Sequence, residues 1–286
     1  MKIIMIGHGM VGHKFIESVL EQASDEVEIT ILAEEPRLAY DRVHLTEYFS
    51  GKSAKDLTLC RSDFADAYGI DLRLGTKAVS INQHTRTVTT QHGEELTYDK
   101  LILATGSYAF VPPIPGNDRE NCFVYRTIED LDAIRTASLN AKTGVVIGGG
   151  LLGLEAAKTL RDLNLETHVV EFAPRLMAVQ IDDLGGKVLR SKIENLGVKV
   201  HTQKATSSIE DGANAKHVMK FGDGAELETD IILFSAGIRP RDELARQSGL
   251  AIGERGGIMI NDYCQTSHPD IYAIGECALW NNKIFG

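Results

Sequence analysis

The stretch Lys2-Ile3-Ile4-Met5-Ile6-Gly7-His8-Gly9-Met10-Val11-Gly12 decides the fold. A run of strand length, apolar after Lys2, leads directly into a GxGxxG turn, and Phe15, Ile16, Val19 and Leu20 follow at helical spacing, predicting a helix from Val11 to about Ser24. Strand, glycine turn and helix in this order open a dinucleotide-binding unit. Gly7 allows the tight turn, Gly9 lets the backbone approach a pyrophosphate, and Gly12 lets the helix pack closely on the strand. The helix N-terminus then presents unpaired N–H groups and the positive end of its dipole to the phosphates. The next predicted strand, Glu28-Ile29-Thr30-Ile31-Leu32, runs into Ala33-Glu34-Glu35. A carboxylate at Glu34 is placed to accept both ribose hydroxyls, with Glu35 the alternative one residue on.

The same pattern returns in Gly144-Val145-Val146-Ile147 followed by Gly148-Gly149-Gly150-Leu151-Leu152-Gly153. Gly148, Gly150 and Gly153 take the three glycine positions, and Ala157 supplies a small residue where the helix must approach the sheet. The strand Thr167-His168-Val169-Val170 ends at Glu171, whose carboxylate accepts from a free 2′-hydroxyl and repels a 2′-phosphate, which favours NAD over NADP. Arg175 nearby is the counter-indication, since a guanidinium can receive that phosphate. A lone glycine motif arises readily by chance; two units in one chain, each with strand, helix and carboxylate in place, do not.

Between and after these units, the segments Lys100-Leu101-Ile102-Leu103-Ala104 and Asp230-Ile231-Ile232-Leu233-Phe234 read as buried strands, and Arg86 to Thr90 is a further one, followed by a turn at Gln91-His92-Gly93. Val111-Pro112-Pro113-Ile114-Pro115-Gly116 is the only proline-dense stretch and reads as a rigid crossing between domains. Strands alternating with helices imply parallel sheets covered on both faces. The expected fold class is α/β: two Rossmann-like doubly wound domains, the second inserted in the first. The expected boundaries are 1–113 and 244–286 for the first domain, and 114–243 for the second.

Composition narrows the partners. The 286 residues are 43% hydrophobic and 24% charged, as in an ordinary globular protein. Lys and Arg total 30 against 40 Asp and Glu, a formal net charge of −10, which disfavours nucleic acid and anionic membrane surfaces. The longest mostly apolar stretch, Gly144 to Ala157, falls short of the ~20 residues of a membrane span, and Met1 to Ile6 is too short for a signal segment. A cytoplasmic location is expected. Cys60, Cys122, Cys264 and Cys277 form no CxxC pair and no metal-ligand spacing, so reduced, separate thiols and no metal are expected.

With a dinucleotide expected at each unit, the chain resembles the pyridine-nucleotide-dependent flavoprotein disulfide-reductase superfamily, which implies FAD and NAD(P)H as cofactors. Ala104-Thr105-Gly106 and Ser235-Ala236-Gly237 resemble its two ATG-type hinge motifs, and Thr266 to Glu276, containing Ile271-Tyr272-Ala273-Ile274-Gly275-Glu276, resembles its second FAD motif. That motif usually ends in Asp on a ribityl hydroxyl; Glu276 is one methylene longer. Arg126 matches a FAD contact of the ferredoxin- and rubredoxin-reductase branch, and Val79 sits where that branch makes a backbone contact to adenine. The resemblance thus implies cofactor contacts at Thr105, Gly106, Arg126, Val79, Gly237, Gly275 and Glu276, with Arg42 a further candidate.

The segments Ala39-Tyr40-Asp41-Arg42-Val43-His44-Leu45, Phe123 to Thr127, Val169 to Arg175 and Gly275 to Ala278 are similar to the N-terminal part of the NAD(P)H-dependent nitrite reductase large subunit, from Met1 to Gly286. In that family the chain continues into iron–sulfur and sirohaem regions, where nitrite becomes ammonia. The resemblance implies an FAD-dependent NAD(P)H oxidoreductase that is the electron-input portion, with downstream iron–sulfur and sirohaem domains or a small subunit as partners. A family helix that covers the flavin would fall beyond Gly286, so weak FAD retention is expected. Two departures matter. No cysteine pair stands around Ala39 to Leu45, so electrons are expected to leave singly for a carrier instead of through a dithiol. Glu155 matches the family carboxylate that pairs with a flavin-side Lys and is the candidate catalytic residue, but that Lys position is Glu47 here. Arg42 or His44 could supply the positive charge; plain solvation of both is the competing reading. Rival functions are a stand-alone NADH-dependent ferredoxin or rubredoxin reductase, a non-catalytic nucleotide-binding module, and a fragment without activity of its own.

Overall fold

A computed structural model of the chain describes residues 1–22 and 26–284. The helix after the first glycine turn spans Met10–Gln22; its expected end at Ser24, like the last two residues, lies outside the described residues. Two compact units divide the chain. The first comprises Met1–Arg42, Lys55–Tyr108 and Arg239–Gly286, the second Val43–Ala54 and Ala109–Ile238.

The first unit is built on a five-stranded parallel sheet in the order Ile271–Ala273, Lys100–Leu103, Lys2–Ile6, Glu28–Ala33, Asp71–Leu74. Successive residues of a strand face opposite sides, and both sides are buried here. Ile3 and Met5 pack with Ile16, Ile29, Ile31, Phe64 and Ile102 on one face. Ile4 and Ile6 pack with Leu32, Leu101, Leu103, Ile81 and Val88 on the other. That is why the central strands Lys2–Ile6 and Lys100–Leu103 are continuously apolar after their first residue instead of alternating. The chain leaves the central strand Lys2–Ile6 at its carboxyl end, with neighbours added on both sides, which makes the Gly7 turn the topological switch point.

The second unit repeats the plan with strands in the order Lys199–His201, Glu166–Val170, Thr143–Ile147, Ile231–Phe234, Cys122–Val124, all parallel. The helix Leu151–Asp162 starts directly after Gly150 and buries Ala156, Ala157 and Leu160. Ala157 is thus the small residue its position demanded.

Each unit also carries a three-stranded antiparallel sheet that the alternation of strands and helices did not announce: Ala78–Asn82, Thr87–Thr90 and Glu95–Thr97 in the first, Thr206–Asp211, His217–Phe221 and Glu226–Thr229 in the second. The turn after Thr90 therefore leads into Glu95–Thr97 before the buried strand Lys100–Leu103 begins. The proline stretch, expected as a crossing between domains, lies inside the second unit. Val111 and Ile114 pack against that unit's core, and the Ile209 N–H donates to the Pro115 carbonyl at 2.9 Å. Val43–Ala54, expected within 1–113, groups with the second unit. Its Tyr48 ring lies under the Arg135 guanidinium at 4.3 Å and its hydroxyl donates to Asp132.

Among the described residues no helix is long and apolar enough to cross a membrane, and no group of His, Cys, Asp and Glu could hold a metal ion. The four cysteines are free.

Candidate functional site

The two glycine turns share one geometry. Gly7 has φ of +103°, and a β-carbon on it would meet the Ala104 carbonyl oxygen at 2.2 Å; Gly148 has φ of +119°, and a β-carbon there would meet the Ser235 oxygen at 2.2 Å. Each turn is pinned from the neighbouring strand, the Gly7 N–H donating to Leu32 O at 2.8 Å and the Gly148 N–H to Val170 O at 2.9 Å. The third glycines are equally confined: a β-carbon on Gly12 would lie 2.8 Å from Gly7 O, and one on Gly153 only 1.9 Å from Gly148 O. The middle glycines, Gly9 and Gly150, face open space, with nothing within 4 Å of an added β-carbon. The first and third glycines of each turn are therefore demanded by the protein's own packing, and the middle one keeps a surface bare at a helix N-terminus. Such a bare backbone surface fits the diphosphate of a dinucleotide.

In the first unit, the end of the second strand gathers charge around Glu34 and Glu35. Glu34 accepts from Lys77 Nζ at 3.0 Å and Arg241 Nη1 at 2.8 Å. Partial burial works against its charge, but these two cations outweigh it and hold the carboxyl below the usual range. Glu35 accepts from the Tyr40 hydroxyl at 2.8 Å and from Arg42, whose backbone N–H lies 3.4 Å from Met10 Sδ at the start of the first helix. Arg42 is thus drawn to Glu35. Val79, 42% exposed, is the residue at which the pairing of strands Ala78–Asn82 and Thr87–Thr90 shifts register.

Thr105 and Gly106 clamp the chain at Arg241: the Thr105 hydroxyl donates to Arg241 O at 2.6 Å, and the Arg241 N–H donates to Gly106 O at 2.9 Å. Gly275 packs against Val11 in the first turn of the first helix, and Glu276 accepts from the Ser107 hydroxyl at 2.7 Å. The structure thus brings Gly7, Gly9, Gly12, Arg42 and Gly275 to one helix N-terminus, and links the 105–107 segment to Glu276. His8, inside the turn, is buried, and neither of its ring nitrogens has a hydrogen-bond partner among the described residues. Its pKa is lowered to about 4 by burial and by the nearby His13.

The second unit carries an open cavity of about 570 Å³ lined by Gly148, Gly150, Glu171, Lys204, Thr206 and Gly237 among others. The Glu171 carboxylate is fixed there by two backbone donors, Gly149 N–H at 2.5 Å and Ala173 N–H at 2.6 Å. Arg175 turns to other partners: Ile181 O at 3.0 Å, Ala178 O at 3.1 Å and Asp183 Oδ1 at 2.7 Å. Arg126 stands just before the helix Ile128–Ser138, its N–H donating to the Asp130 carboxylate at 3.0 Å. Glu155 is half-buried on the helix Leu151–Asp162, and burial raises its carboxyl pKa while the charge of His44 opposes the rise. Glu47 has its own cation, Lys52, at 2.5 Å. Of the two candidates for a charge facing Glu155, His44, at the start of the turn Leu45–Tyr48, acts on its carboxyl, and Arg42 pairs with Glu35.

The sequence reading missed Tyr40, Lys77 and Arg241 around the carboxylates, and Gly149, Ala173 and Lys204 around Glu171. These partners converge only through folding; no spacing along the chain marks them.

Two parallel α/β units, each with a bare-backed glycine turn at its switch point and a carboxylate just after the next strand, define a protein with two dinucleotide folds. The chain belongs to the family described as pyridine nucleotide-disulphide oxidoreductase, which it matches over residues 1–284. It is 55% identical to the nitrite reductase (NADH) large subunit of Escherichia coli (strain K12), over 100% of this chain and 34% of that protein. It is 37% identical to the assimilatory nitrate reductase electron transfer subunit of Bacillus subtilis (strain 168), over 100% of this chain and 37% of that one. The chain therefore spans about a third of the length of these curated relatives. Among solved structures, the NAD-dependent persulfide reductase from A. fulgidus superimposes with a TM-score of 0.91 at 29% identity, covering 97% of this chain and 53% of that one.

Proposed function

We propose that this chain is the electron-input portion of an NADH-dependent nitrite reductase, taking electrons from NADH at the second unit and passing them through FAD held by the first. The observation that carries the reading is the duplicated glycine turn, in which packing demands Gly7, Gly12, Gly148 and Gly153 while Gly9 and Gly150 are left bare. When bound, FAD supplies the acceptor for a hydride from the reduced nicotinamide and the means of releasing electrons one at a time. The protein's own work is binding, alignment and exclusion of water.

In the first unit, Gly7, Gly9, Gly12 and the helix N-terminus would hold the FAD diphosphate, and Glu34 or Glu35 the ribose. Arg42, Val79, Thr105, Gly106, Gly275 and Glu276 would complete that site. Arg126 would be a further FAD contact, as the family resemblance implies. In the second unit, Gly148, Gly150, Gly153 and Gly237 would line the NADH site. Glu155 would orient the nicotinamide, with His44 in place of the family Lys. NADH is favoured over NADPH because Glu171 is fixed as an acceptor and Arg175 is engaged elsewhere. The domains would divide functionally near 113 and 243, as expected from sequence. Iron–sulfur and sirohaem domains, or a small subunit, would take the electrons onward to nitrite in the cytoplasm, as the family resemblance implies; the names of the nitrite reductase and electron-transfer relatives support the electron-input role.

Anaerobic addition of NADH to the chain supplied with FAD tests the proposal. Bleaching of the flavin absorption band is expected; a flavin that is bound yet stays oxidised would contradict it.

A further inference from the structure

The second unit holds a feature that a single specificity carboxylate does not explain. Glu171 does more than offer oxygens to a ribose: its carboxylate sits on two backbone donors, Gly149 N–H and Ala173 N–H, at 2.5 and 2.6 Å. The Gly149 N–H meets Oε2 and the Ala173 N–H meets Oε1, so two backbone donors grip the two oxygens of one carboxylate, an anion site filled here by the protein's own side chain. The turn carrying Lys204 is tied to the same residue, since Glu171 N–H donates to His201 O at 2.8 Å and Lys204 N–H donates to Glu171 O at 3.0 Å. Lys204 lines the cavity, yet its ammonium is drawn to Asp223 in the turn after strand His217–Phe221, with Nζ 5.5 Å from the Phe221 ring centroid. Glu171, held on these two donors, and Lys204, paired with Asp223, thus border one cavity.

We propose that coenzyme discrimination rests on two carboxylates: Glu171, which fills the backbone anion site, and Asp223, which withholds the Lys204 ammonium from the same cavity. Asp223 is then a specificity residue acting through Lys204. The inference rests on the assignment of the second unit to the nicotinamide coenzyme. Removing the Asp223 charge frees Lys204 to meet a 2′-phosphate, and removing Glu171 as well vacates the anion site. Charge-assisted hydrogen bonds to phosphate are about twice as strong as neutral ones, so each step has a measurable effect.

The test is fluorescence titration of the whole chain with NADH and with NADPH, reading the ratio of the two dissociation constants. Asp223→Asn should shift the ratio toward NADPH about threefold, and Glu171→Ala with Asp223→Asn more than the sum of the two logarithmic shifts. Adding Lys204→Met should erase the Asp223→Asn effect while leaving that of Glu171→Ala. An Asp223→Asn chain that binds NADH and shows an unchanged ratio, or a shift that survives Lys204→Met, overturns the proposal. A wild-type chain that binds neither coenzyme overturns the coenzyme assignment itself and this inference with it.

Discussion

Gly148 packs so closely on Ser235 that a β-carbon would stand 2.2 Å from the Ser235 carbonyl oxygen, and Gly7 stands in the same relation to Ala104. The turn is thereby welded to the adjacent strand end in both units, while the glycine two residues on is left untouched. Packing and ligand approach are separate demands on neighbouring residues, and substitutions can tell them apart.

Gly148→Ala should destabilise the chain by about 3 kcal/mol, since it combines a positive φ with a collision against backbone that cannot move aside. Gly150→Ala should change stability by less than about 0.5 kcal/mol, because the residue already has φ of −80° and open space around it. It should nevertheless weaken NADH binding, by placing a methyl where the diphosphate approaches. Urea denaturation alongside NADH titration separates the two effects; equal losses of stability would refute the distinction.

Glu155→Ala should slow flavin reduction by NADH about tenfold through loss of nicotinamide alignment, with FAD occupancy unaltered. Burial raises the Glu155 carboxyl pKa, so its loss of charge begins at a higher pH than for a solvated glutamate. Lowering the pH should therefore slow reduction in the wild type and not in the variant. Stopped-flow rates across an acidic pH series provide the check; superimposable profiles would remove Glu155 from the reaction.

Acid should destabilise the chain through its buried histidines. The His8 pKa is lowered from 6.5 to about 4 by burial and by His13, and burial also lowers the pKa values of His13, His168, His201 and His217. Below pH 6.5 the unfolded chain takes up a proton that folded His8 refuses until about pH 4. Stability should fall as the pH drops through this window, by about 3 kcal/mol from His8 alone. Denaturation midpoints measured from pH 7 to pH 4 would show the decline, which His8→Gln should make shallower.

Thr127→Ala should cost about 1 kcal/mol. Thr127 caps the helix Ile128–Ser138: its hydroxyl accepts from Asp130 N–H at 3.2 Å, and Asp130 returns the bond to Thr127 N–H at 2.8 Å. The same carboxylate holds the Arg126 N–H, so Asp130→Ala should cost more than Thr127→Ala and should also weaken FAD retention through Arg126. Thermal melts and flavin content measured together test both halves.

Much of this was legible in the chain because the deciding signals are local. Lys2–Ile6 and Thr143–Ile147 are buried on both faces and so read as continuous apolar runs, and the glycines follow them directly. The antiparallel sheets were not legible for the opposite reason. In Thr206–Asp211 only Ile209 is fully buried, so an otherwise polar segment carries little period to detect. The carboxylates Glu34, Glu35 and Glu171 could be singled out by position, yet their partners could not. Arg241 meets Glu34 from far along the chain, and Gly149 and Ala173 hold Glu171 through backbone N–H groups that every sequence possesses. Arg175, the counter-indication to NAD in the sequence, has partners that the sequence does not mark either: Asp183 and two carbonyls.

The central claim is that two separate glycine-lined sites each hold their own dinucleotide. Equilibrium dialysis of the chain against FAD and NAD⁺, alone and together, measures this directly. The account predicts one FAD and one NAD⁺ per chain, bound without displacing each other, with Gly9→Val removing only the FAD and Gly150→Val only the NAD⁺. Mutual displacement at a single site, or loss of both ligands from either substitution in a folded chain, would contradict it.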